Sequence, residues 1–369
     1  MIEYVLAFLL VFICIYYNKR MAKDLRIFCM CGICLYIVLL FGLRYRVGID
    51  TINYMDNFAQ LPSLSDFENI DWAERKMEPG STLLCMICKS VVSDFWLTQL
   101  VFAAITNSCM FIFIYRQCRN PFIGVFVYFV LAMFYFSAEI MRESAAVGLF
   151  LLNFRNFQNR RWGRYYMLCL LSVLFHYSAI ITFLFPLVRI LKINIWYIIV
   201  CVGFIMVAPI FDMLNQLLTF ATIASRVDAY VIQAQNVNIN FRIFFIIYLG
   251  IPALSAVLLA YKYDKDSDIM KYVLLHLCLC CGVFAIPIIF SRFANYTLPF
   301  VIVVIANLLS LQQLQRYVRM LLLFIVVSSQ VLYYGNMYRR WIPYVSVFNP
   351  VKIPAREYIW WFEVGQYKR

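Results

Sequence analysis

The chain is a succession of apolar runs separated by short polar segments that are rich in Lys and Arg. An α-helix needs about 20 apolar residues to cross a bilayer, whereas a barrel strand needs about ten residues of strict apolar–polar alternation. The runs here have helical lengths and no such alternation. They predict an all-α polytopic membrane protein with about 11–12 transmembrane helices, including short re-entrant or half-membrane helices. We expect one integral membrane domain over residues 1–369.

Composition agrees with this prediction. Hydrophobic residues make up 64% of the chain and charged residues 14%, against about 25% charged residues in soluble domains. The net charge of +13 would favour nucleic acid as the partner of a soluble protein. Here the cations cluster between apolar runs in the positive-inside pattern, so we expect the lipid bilayer and no nucleic acid as a partner. The first run, Tyr4 to Tyr17, lacks a basic leader and a cleavage site, which indicates a retained span.

Basic loops orient the predicted spans. The loop from Asn18 to Arg26 carries four cations, which places it in the cytoplasm and the N-terminus outside. Counting membrane crossings from this cytoplasmic loop makes 44–94 and 212–240 external loops. It also leaves the basic tail 337–369 outside, which the positive-inside rule disfavours. The predicted spans lie at about 3–17, 27–43, 95–115, 121–138, 140–154, 193–211, 241–261, 270–290, 297–314 and 320–335.

The first external loop contains a short apolar stretch. The dozen residues from Ser81 to Val92 follow Glu78-Pro79-Gly80 and are interrupted by Lys89. Proline at a first helical position pre-sets the backbone for a helix start. Because twelve residues are too few to span a bilayer, we expect a re-entrant or interfacial helix on the outer side.

His176 lies in the middle of an apolar run from Tyr165 to Val188. A titratable side chain at membrane depth indicates a functional site, and the alternative is a histidine that only hydrogen-bonds neighbouring helices. Arg164 and Arg189 both look cytoplasmic, so an even number of crossings should join them. Two short helices meeting near His176 satisfy that parity, whereas one straight span would put Arg189 outside.

Cysteine spacing and glycine content exclude some chemistries. Cys85 and Cys88 have a zinc-type spacing, but neither of the chain's 2 histidines lies near them, so we expect no metal. The sequence also lacks a Gly-rich phosphate loop and a dinucleotide fingerprint, which disfavours an enzyme with its own nucleotide fold.

The predicted topology gathers scattered polar residues on the outer side. Arginines bind phosphate oxygens bidentately, and a histidine or carboxylate can take a proton from a hydroxyl, so the set fits an anionic lipid-linked substrate. Simpler interpretations are headgroup snorkelling of Arg44 and Arg46, a local Glu139–Arg142 pair, and an interfacial anchor at Arg292. The full set is Arg44, Arg46, Asp50, Glu78, Glu139, Arg142, His176, Arg226 and Arg292.

Four short motifs carry a family resemblance. They are Arg46-x-Gly48-x-Asp50-x-x-x-Tyr54 after the second run, Glu78-Pro79-Gly80 before an apolar stretch, Arg142 at the start of a run, and His176-Tyr177-Ser178-Ala179 near mid-chain. In this order the motifs resemble the EpsG family of polytopic polysaccharide polymerases, which is similar to the Wzy O-antigen and capsule polymerases. The resemblance implies a membrane fold like that of C-type glycosyltransferases.

The resemblance also implies a reaction. Such enzymes join oligosaccharide repeat units carried on undecaprenyl pyrophosphate, at the outer (periplasmic) face of the bacterial inner membrane. The partners implied are undecaprenyl-pyrophosphate-linked oligosaccharide, a chain-length regulator and a repeat-unit flippase. No cofactor is implied, neither nucleotide, ATP nor metal. Two rival hypotheses are a flippase or transporter for the same lipid-linked sugar, and a membrane O-acyltransferase with an intramembrane histidine base.

By the resemblance, Arg142 and Arg292 would hold the pyrophosphate, with Arg44 or Arg46 assisting. His176 is the preferred general base and Asp50 the alternative, because an imidazole titrates near neutral pH. Glu78 would orient the acceptor sugar. The remaining expected substrate contacts are Tyr54, Glu139, Tyr177 and Arg226.

Overall fold

The structure is a computed structural model that describes residues 2–70, 77–190, 243–264, 267–284 and 286–363, together with positions 196, 199, 200 and 203. Its described part is helical, without β-strands, and one isolated antiparallel bridge joins Arg44 to Ser346. The chain divides into two compact units. The first comprises Met1–Phe183 and Tyr334–Arg369, and the second comprises Leu184–Tyr333.

In the described residues, the first unit contains eight α-helices before the helical structure is interrupted at His176. They are α1 (Ile2–Tyr17), α2 (Lys23–Gly42), α3 (Ile49–Ala59), α4 (Pro79–Val91), α5 (Trp96–Gln117), α6 (Pro121–Leu131), α7 (Met141–Gln158) and α8 (Trp162–Phe175). A 3₁₀ segment covers Leu64–Asn69, and a π-helical turn covers Tyr135–Glu139. Helix α5 lies at the centre of this unit because it packs against both α2 and α7.

A long 3₁₀ helix, Tyr177–Ile190, leads into the second unit. The described helices there are a π-helical turn at Ile246–Gly250, α9 (Ile251–Asp264), α10 (Asp268–Gly282), α11 (Pro287–Ser310) and α12 (Arg316–Trp341), whose end belongs to the first unit. Helix α13 (Pro354–Glu363) follows in the first unit.

Within the described residues, five segments are long and apolar enough to cross a membrane, at Lys23–Gly42, Trp96–Gln117, Ile243–Tyr261, Pro287–Ser310 and Arg316–Gly335. Shorter apolar helices accompany them, so the predicted all-α polytopic membrane fold is confirmed. One local prediction is wrong. The segment Ser291–Tyr296 is not a turn between spans, because it lies inside α11, which begins four residues earlier at Pro287. The predicted span 193–211 and loop 212–240 lie largely or wholly outside the described residues.

The prediction of two short helices meeting at His176 is confirmed. Helix α8 ends at Phe175, and His176 adopts an extended backbone with φ −158° and ψ 129°. The chain then turns back along α8, since the Tyr165 hydroxyl donates to the Thr182 carbonyl at 2.6 Å. His176 therefore lies at the apex of a helical hairpin. At the far end of the 3₁₀ helix, Arg189 pairs with Asp268 at 3.1 Å.

The C-terminal segment lies on the same face of the first unit as the loop after α2. Tyr45 N donates to Val345 O at 2.7 Å, and Gly48 N donates to Arg340 O at 2.9 Å. Farther along, the Trp360 indole donates to Asn53 Oδ1 at 3.2 Å. The tail therefore contacts the 44–54 loop, and the predicted number of membrane crossings also puts these two segments on the same side.

Candidate functional site

Four charged side chains meet at the apex of the hairpin, and we call them the charge cluster: Glu78, Arg142, Glu143 and His176. The Glu78 carboxylate accepts from Arg142 Nη1 through one oxygen and faces His176 Nδ1 through the other. His176 Nε2 faces Glu143 Oε2 at 3.3 Å. The imidazole thus lies between two carboxylates, and Glu78 lies between two cations.

The Glu78-Pro79-Gly80 motif explains how this carboxylate reaches the hairpin. Pro79 begins α4 directly after Glu78. At Gly80 a Cβ would lie 2.8 Å from the Leu174 carbonyl oxygen, so a side chain there would push the start of α4 away from α8. Ser81 donates to Phe175 O at 2.8 Å, which completes the contact between the two helix ends.

Helix ends stabilise the charges of the cluster. Glu78 precedes the first residue of α4, and Glu143 lies in the first turn of α7. Carboxylates are favoured there by the positive end of the helix dipole. His176 follows the last residue of α8, where a positive charge is favoured. Arg142, in the first turn of α7, is the exception, and the adjacent Glu78 offsets its unfavourable position.

The pairing shifts the titration of two members. Burial raises the pKa of Glu78, but the hydrogen bond from His176 and the charge of Arg142 outweigh it and hold that pKa below its ordinary value. Burial lowers the pKa of His176, but Glu143 and Glu78 outweigh it and raise that pKa above the ordinary imidazole value. The arrangement therefore favours an imidazolium beside an ionised Glu78 carboxylate.

The cluster is partly open. The Arg142 side chain is 19% exposed, whereas the Glu78 side chain is 4% exposed. The guanidinium lies 5.4 Å from the centre of the Tyr54 ring in a cation–π arrangement, which brings a fourth predicted residue to the site. Tyr177 contributes its backbone N–H, 3.4 Å from Glu78 Oε1, while its side chain is exposed.

A second set of buried polar groups holds the loop after α2, and we call it the loop anchor: Arg44, Gly48, Thr51, Glu139 and Trp341. All three guanidinium nitrogens of Arg44 donate to protein acceptors, including Val47 O at 3.0 Å and Thr51 Oγ1 at 3.0 Å. Its side chain is fully buried. Burial lowers the pKa of Arg44 to about 10, and the Glu139 charge offsets part of that shift. The expectation that Arg44 assists pyrophosphate binding finds no geometric support.

Glu139 also has a structural role, because it joins the start of α3 to the end of α12. It accepts from Ile49 N at 3.0 Å and Asp50 N at 3.2 Å, so its carboxylate caps the N-terminus of α3. Its other oxygen accepts from the Trp341 indole at 2.8 Å. Gly48 turns the chain into α3 with φ +92°, and a Cβ there would lie 2.3 Å from Ala138 O. The simpler interpretation of Glu139 and Arg142 as a local pair is therefore wrong, because Glu139 forms this cap and Arg142 pairs with Glu78.

Arg46 binds the C-terminal helix. It pairs bidentately with Glu357 of α13, with Nε to Oε1 at 2.6 Å. Arg356 supports the same junction, because its Nη1 donates to Arg46 O at 3.0 Å. Both partners of the Arg46–Glu357 pair are partly exposed, at 13% and 26%.

The other predicted site residues are not brought to the cluster by any described contact. Asp50 lies in the first turn of α3, where its N–H donates to Glu139. Arg292 is on the exposed surface of α11 in the second unit. Arg226 lies outside the described residues. Among the residues that the structure describes, no group of three or more His, Cys, Asp and Glu side chains is placed to hold a metal ion.

The sequence analysis did not identify Glu143 as a site residue. The available signal was its place directly after Arg142 at the start of an apolar helix, since an acid in a membrane helix is costly unless it is paired. The roles of Trp341 and Glu357 had no comparable signal, because they contact residues 202 and 311 positions away in the chain.

Comparison with known proteins supplies the family. No curated protein and no solved structure matches the chain. A family model for the EpsG family matches residues 27–346, which include all four residues of the charge cluster and all five of the loop anchor. The chain therefore belongs to the EpsG family, a family of Wzy-like polysaccharide polymerase-type membrane proteins.

Proposed function

We propose that the protein joins oligosaccharide repeat units, carried on a polyprenyl pyrophosphate such as undecaprenyl pyrophosphate, into a polysaccharide. The observation that carries this proposal is the charge cluster, in which a partly exposed Arg142 is held at the apex of a helical hairpin by Glu78. An arginine that pairs with one exchangeable carboxylate can bind the oxygens of a phosphate in its place.

Helix N-termini add to the anion-binding character. The starts of α4 and α7 meet at the Glu78–Arg142 pair, and the start of α3 binds Glu139, two residues before α7. Backbone N–H groups at helix starts carry partial positive charge and favour phosphate groups. This convergence supports a pyrophosphate at Arg142.

In the proposed reaction, an acceptor hydroxyl attacks the anomeric carbon of the donor sugar. The new glycosidic C–O bond forms while the bond from that carbon to the pyrophosphate oxygen breaks. The electron pair of the broken bond leaves with the carrier pyrophosphate, and Arg142 stabilises its added negative charge. The hydroxyl proton passes to the charge cluster.

We assign the proton acceptor to Glu78, with His176 as a positioning residue. A pyrophosphate on Arg142 would displace Glu78 from that guanidinium, which removes a neighbouring positive charge and raises the pKa of the freed carboxyl. His176, already bonded to both Glu78 and Glu143, would hold Glu78 in place. This assignment differs from the expected roles of His176 and Asp50 as the base.

We place the site on the outer face of the bacterial inner membrane. The positive-inside pattern of the loop from Asn18 to Arg26 supports this side, because one crossing through α2 separates that loop from Arg44. Reporter fusions after Val92 should report an external position, and a fusion after Asn159 should report a cytoplasmic one. A cytoplasmic signal at Val92 would refute the proposed orientation.

The reaction itself is tested with purified protein in nanodiscs and a lipid extract that contains the lipid-linked repeat unit. Wild-type protein should yield oligomers and free polyprenyl pyrophosphate, and Arg142→Ala should yield neither. A flippase would move the lipid without forming a glycosidic bond or releasing pyrophosphate. Absence of both products with folded wild-type protein would therefore refute the polymerase proposal.

A further inference from the structure

A small cavity lies beside the loop anchor in the first unit. Its volume is about 240 Å³, and its walls come from the loop after α2, from α3, from the start of α5 and from the segment before α13. Pockets for drug-sized ligands have volumes of about 300–1,000 Å³, so this one suits a ligand of about one ring. The lining residues used below are Tyr45, Met55, Asp94, Trp96 and Gln99.

The Gln99 side chain lines this cavity and joins it to the loop after α2. Its side chain is 2% exposed, and its Nε2 donates to the Arg44 backbone carbonyl at 2.8 Å. That bond fixes the amide orientation, because a carbonyl can only accept. The opposite atom, Oε1, is buried and has no hydrogen-bond partner among the residues that the structure describes. Because this atom is not exposed, the open surface of the cavity is provided by its other walls.

The remaining walls match the two sides of a sugar ring. Trp96 is half-buried and Tyr45 is also partly exposed, so both offer aromatic surface for the apolar C–H face of a pyranose. Asp94 is exposed and adds a carboxylate, which accepts hydrogen bonds from hydroxyl groups. Aromatic surface combined with acceptors fits a ligand rich in O–H donors.

Charge argues against a phosphate in this cavity. Among the described lining residues, the basic side chain is Arg44, and each of its guanidinium nitrogens already donates to protein groups. The Asp94 carboxylate would repel an anion. The cavity is thus chemically unlike the charge cluster, where Arg142 is partly exposed.

One hydrophobic cluster contains residues of the cavity and the chain neighbours of two charge-cluster residues. Met55 and Phe95 line the cavity and pack in a hydrophobic cluster with Met77 and Met141. Those two methionines immediately precede Glu78 and Arg142. The cavity and the charge cluster therefore lie next to the same hydrophobic cluster of the first unit.

We propose that this cavity is a subsite for one uncharged sugar ring of the glycan, bound by stacking on Trp96 and by hydrogen bonds to the Asp94 carboxylate. The identity of the glycan rests on the proposed function, whereas the binding itself does not. The subsite would hold a repeat unit in register while Arg142 binds the pyrophosphate.

The test is a binding titration with the full-length protein in nanodiscs. The probe is a set of short neutral oligosaccharides prepared by partial hydrolysis of the host strain's own polysaccharide, followed by saturation-transfer NMR. We expect Trp96→Ala to weaken binding by about tenfold, the scale of one ring-stacking contact, and Trp96→Phe to restore part of it. The matched control is Trp361→Ala, at a tryptophan that is 45% exposed on α13.

A second variant protects the test against misfolding. Asp94→Ala changes an exposed residue before α5 and should weaken the same binding by several-fold. Wild-type protein that does not bind the probe, or variants that bind it as tightly as Trp361→Ala does, would overturn the subsite. Trp96-dependent binding without polymerisation would refute the proposed function alone, and polymerisation with binding that ignores Trp96 and Asp94 would refute the subsite alone.

Discussion

The charge cluster and the loop anchor are both buried charge networks in the first unit, and they use their charges differently. In the loop anchor, Arg44 is fully buried and donates to backbone carbonyls, a hydroxyl and a thioether. In the charge cluster, Arg142 pairs with the side chain of Glu78 and keeps 19% of its own side chain exposed. The central residue of each network is an arginine, but Arg44 has mainly backbone partners whereas Arg142 has a carboxylate partner.

The kind of partner distinguishes an arginine that maintains the fold from one that can bind a substrate anion. An arginine bonded to backbone carbonyls cannot release them without unfolding the loop that they belong to, so Arg44 determines the position of α3. An arginine bonded to a carboxylate can exchange it for another anion at a small cost, because the interaction has the same form. Burial alone therefore does not identify a functional charge in this membrane protein.

Glu78→Gln should have the largest effect on activity. The substitution keeps the shape of the side chain but removes the negative charge between Arg142 and His176. We expect polymer formation in nanodiscs to fall by about a hundredfold or more, which is the scale of losing one preorganised charge contact. The amount of inserted protein should stay within about twofold.

The control for this variant is Glu68→Gln, at an exposed acid in the segment between α3 and α4. Equal losses of protein in both variants, or normal polymer with Glu78→Gln, would contradict the assignment of Glu78 as proton acceptor.

Arg44→Met should chiefly affect stability. It leaves several buried carbonyl groups without their donor and removes a positive charge that interacts with Glu139. Loss of one partner of a buried charge network costs about 3–5 kcal/mol. Thermal unfolding in nanodiscs should begin at a clearly lower temperature, with less protein in the membrane. The folded fraction should retain its activity per molecule.

Arg164→Met, at an exposed arginine of α8, is the matched control and should leave unfolding unchanged. Activity lost per folded molecule of Arg44→Met, with unfolding unaffected, would mean that Arg44 binds substrate after all.

The pH dependence should report the coupled charges of the cluster. The raised pKa of His176 gives stability that is present below the ordinary imidazole pKa and lost as pH rises through the raised value. The lowered pKa of Glu78 gives stability that is present above the ordinary carboxyl pKa and lost as pH falls through the lowered value. Thermal stability should therefore be highest at pH values between the ordinary carboxyl pKa and the ordinary imidazole pKa, where both contributions are present.

His176→Gln should remove the stability loss at alkaline pH, because the titrating imidazole is gone. It should also reduce the loss at acid pH, because the hydrogen bond from His176 is part of what lowers the pKa of Glu78. An unchanged stability loss at alkaline pH in this variant would show that His176 is not the titrating group.

The Arg46–Glu357 pair should give the smallest effect. Both side chains are partly exposed, and such pairs contribute about 0–1 kcal/mol after solvent screening. Glu357→Gln should shift unfolding by a few degrees at most. The exchanged variant Arg46→Glu with Glu357→Arg should recover part of that loss, as measured in a double-mutant cycle. A loss as large as that of Arg44→Met would place Arg46 in the loop anchor.

Helix bounds followed closely from the hydropathy pattern in the first unit. Helices α1, α5 and α7 begin within about two residues of the predicted spans, because apolar runs bounded by cations report directly where lipid ends. The hairpin at His176 followed from counting crossings between basic loops. The error at Ser291–Tyr296 arose because α11 begins at Pro287 and carries these polar residues within the helix, where hydropathy alone suggests a turn.

The sequence by itself determined the class of protein, the order of the early helices and three members of the charge cluster, because lipid penalises misplaced charges and so makes them visible. Only the tertiary structure decided which charges face each other. Nothing in the spacing shows that Glu139 caps α3 while Glu78 binds Arg142, since each pairing spans more than sixty residues. Hydrogen bonds act over about 3 Å, and only the folded backbone brings distant residues within that range.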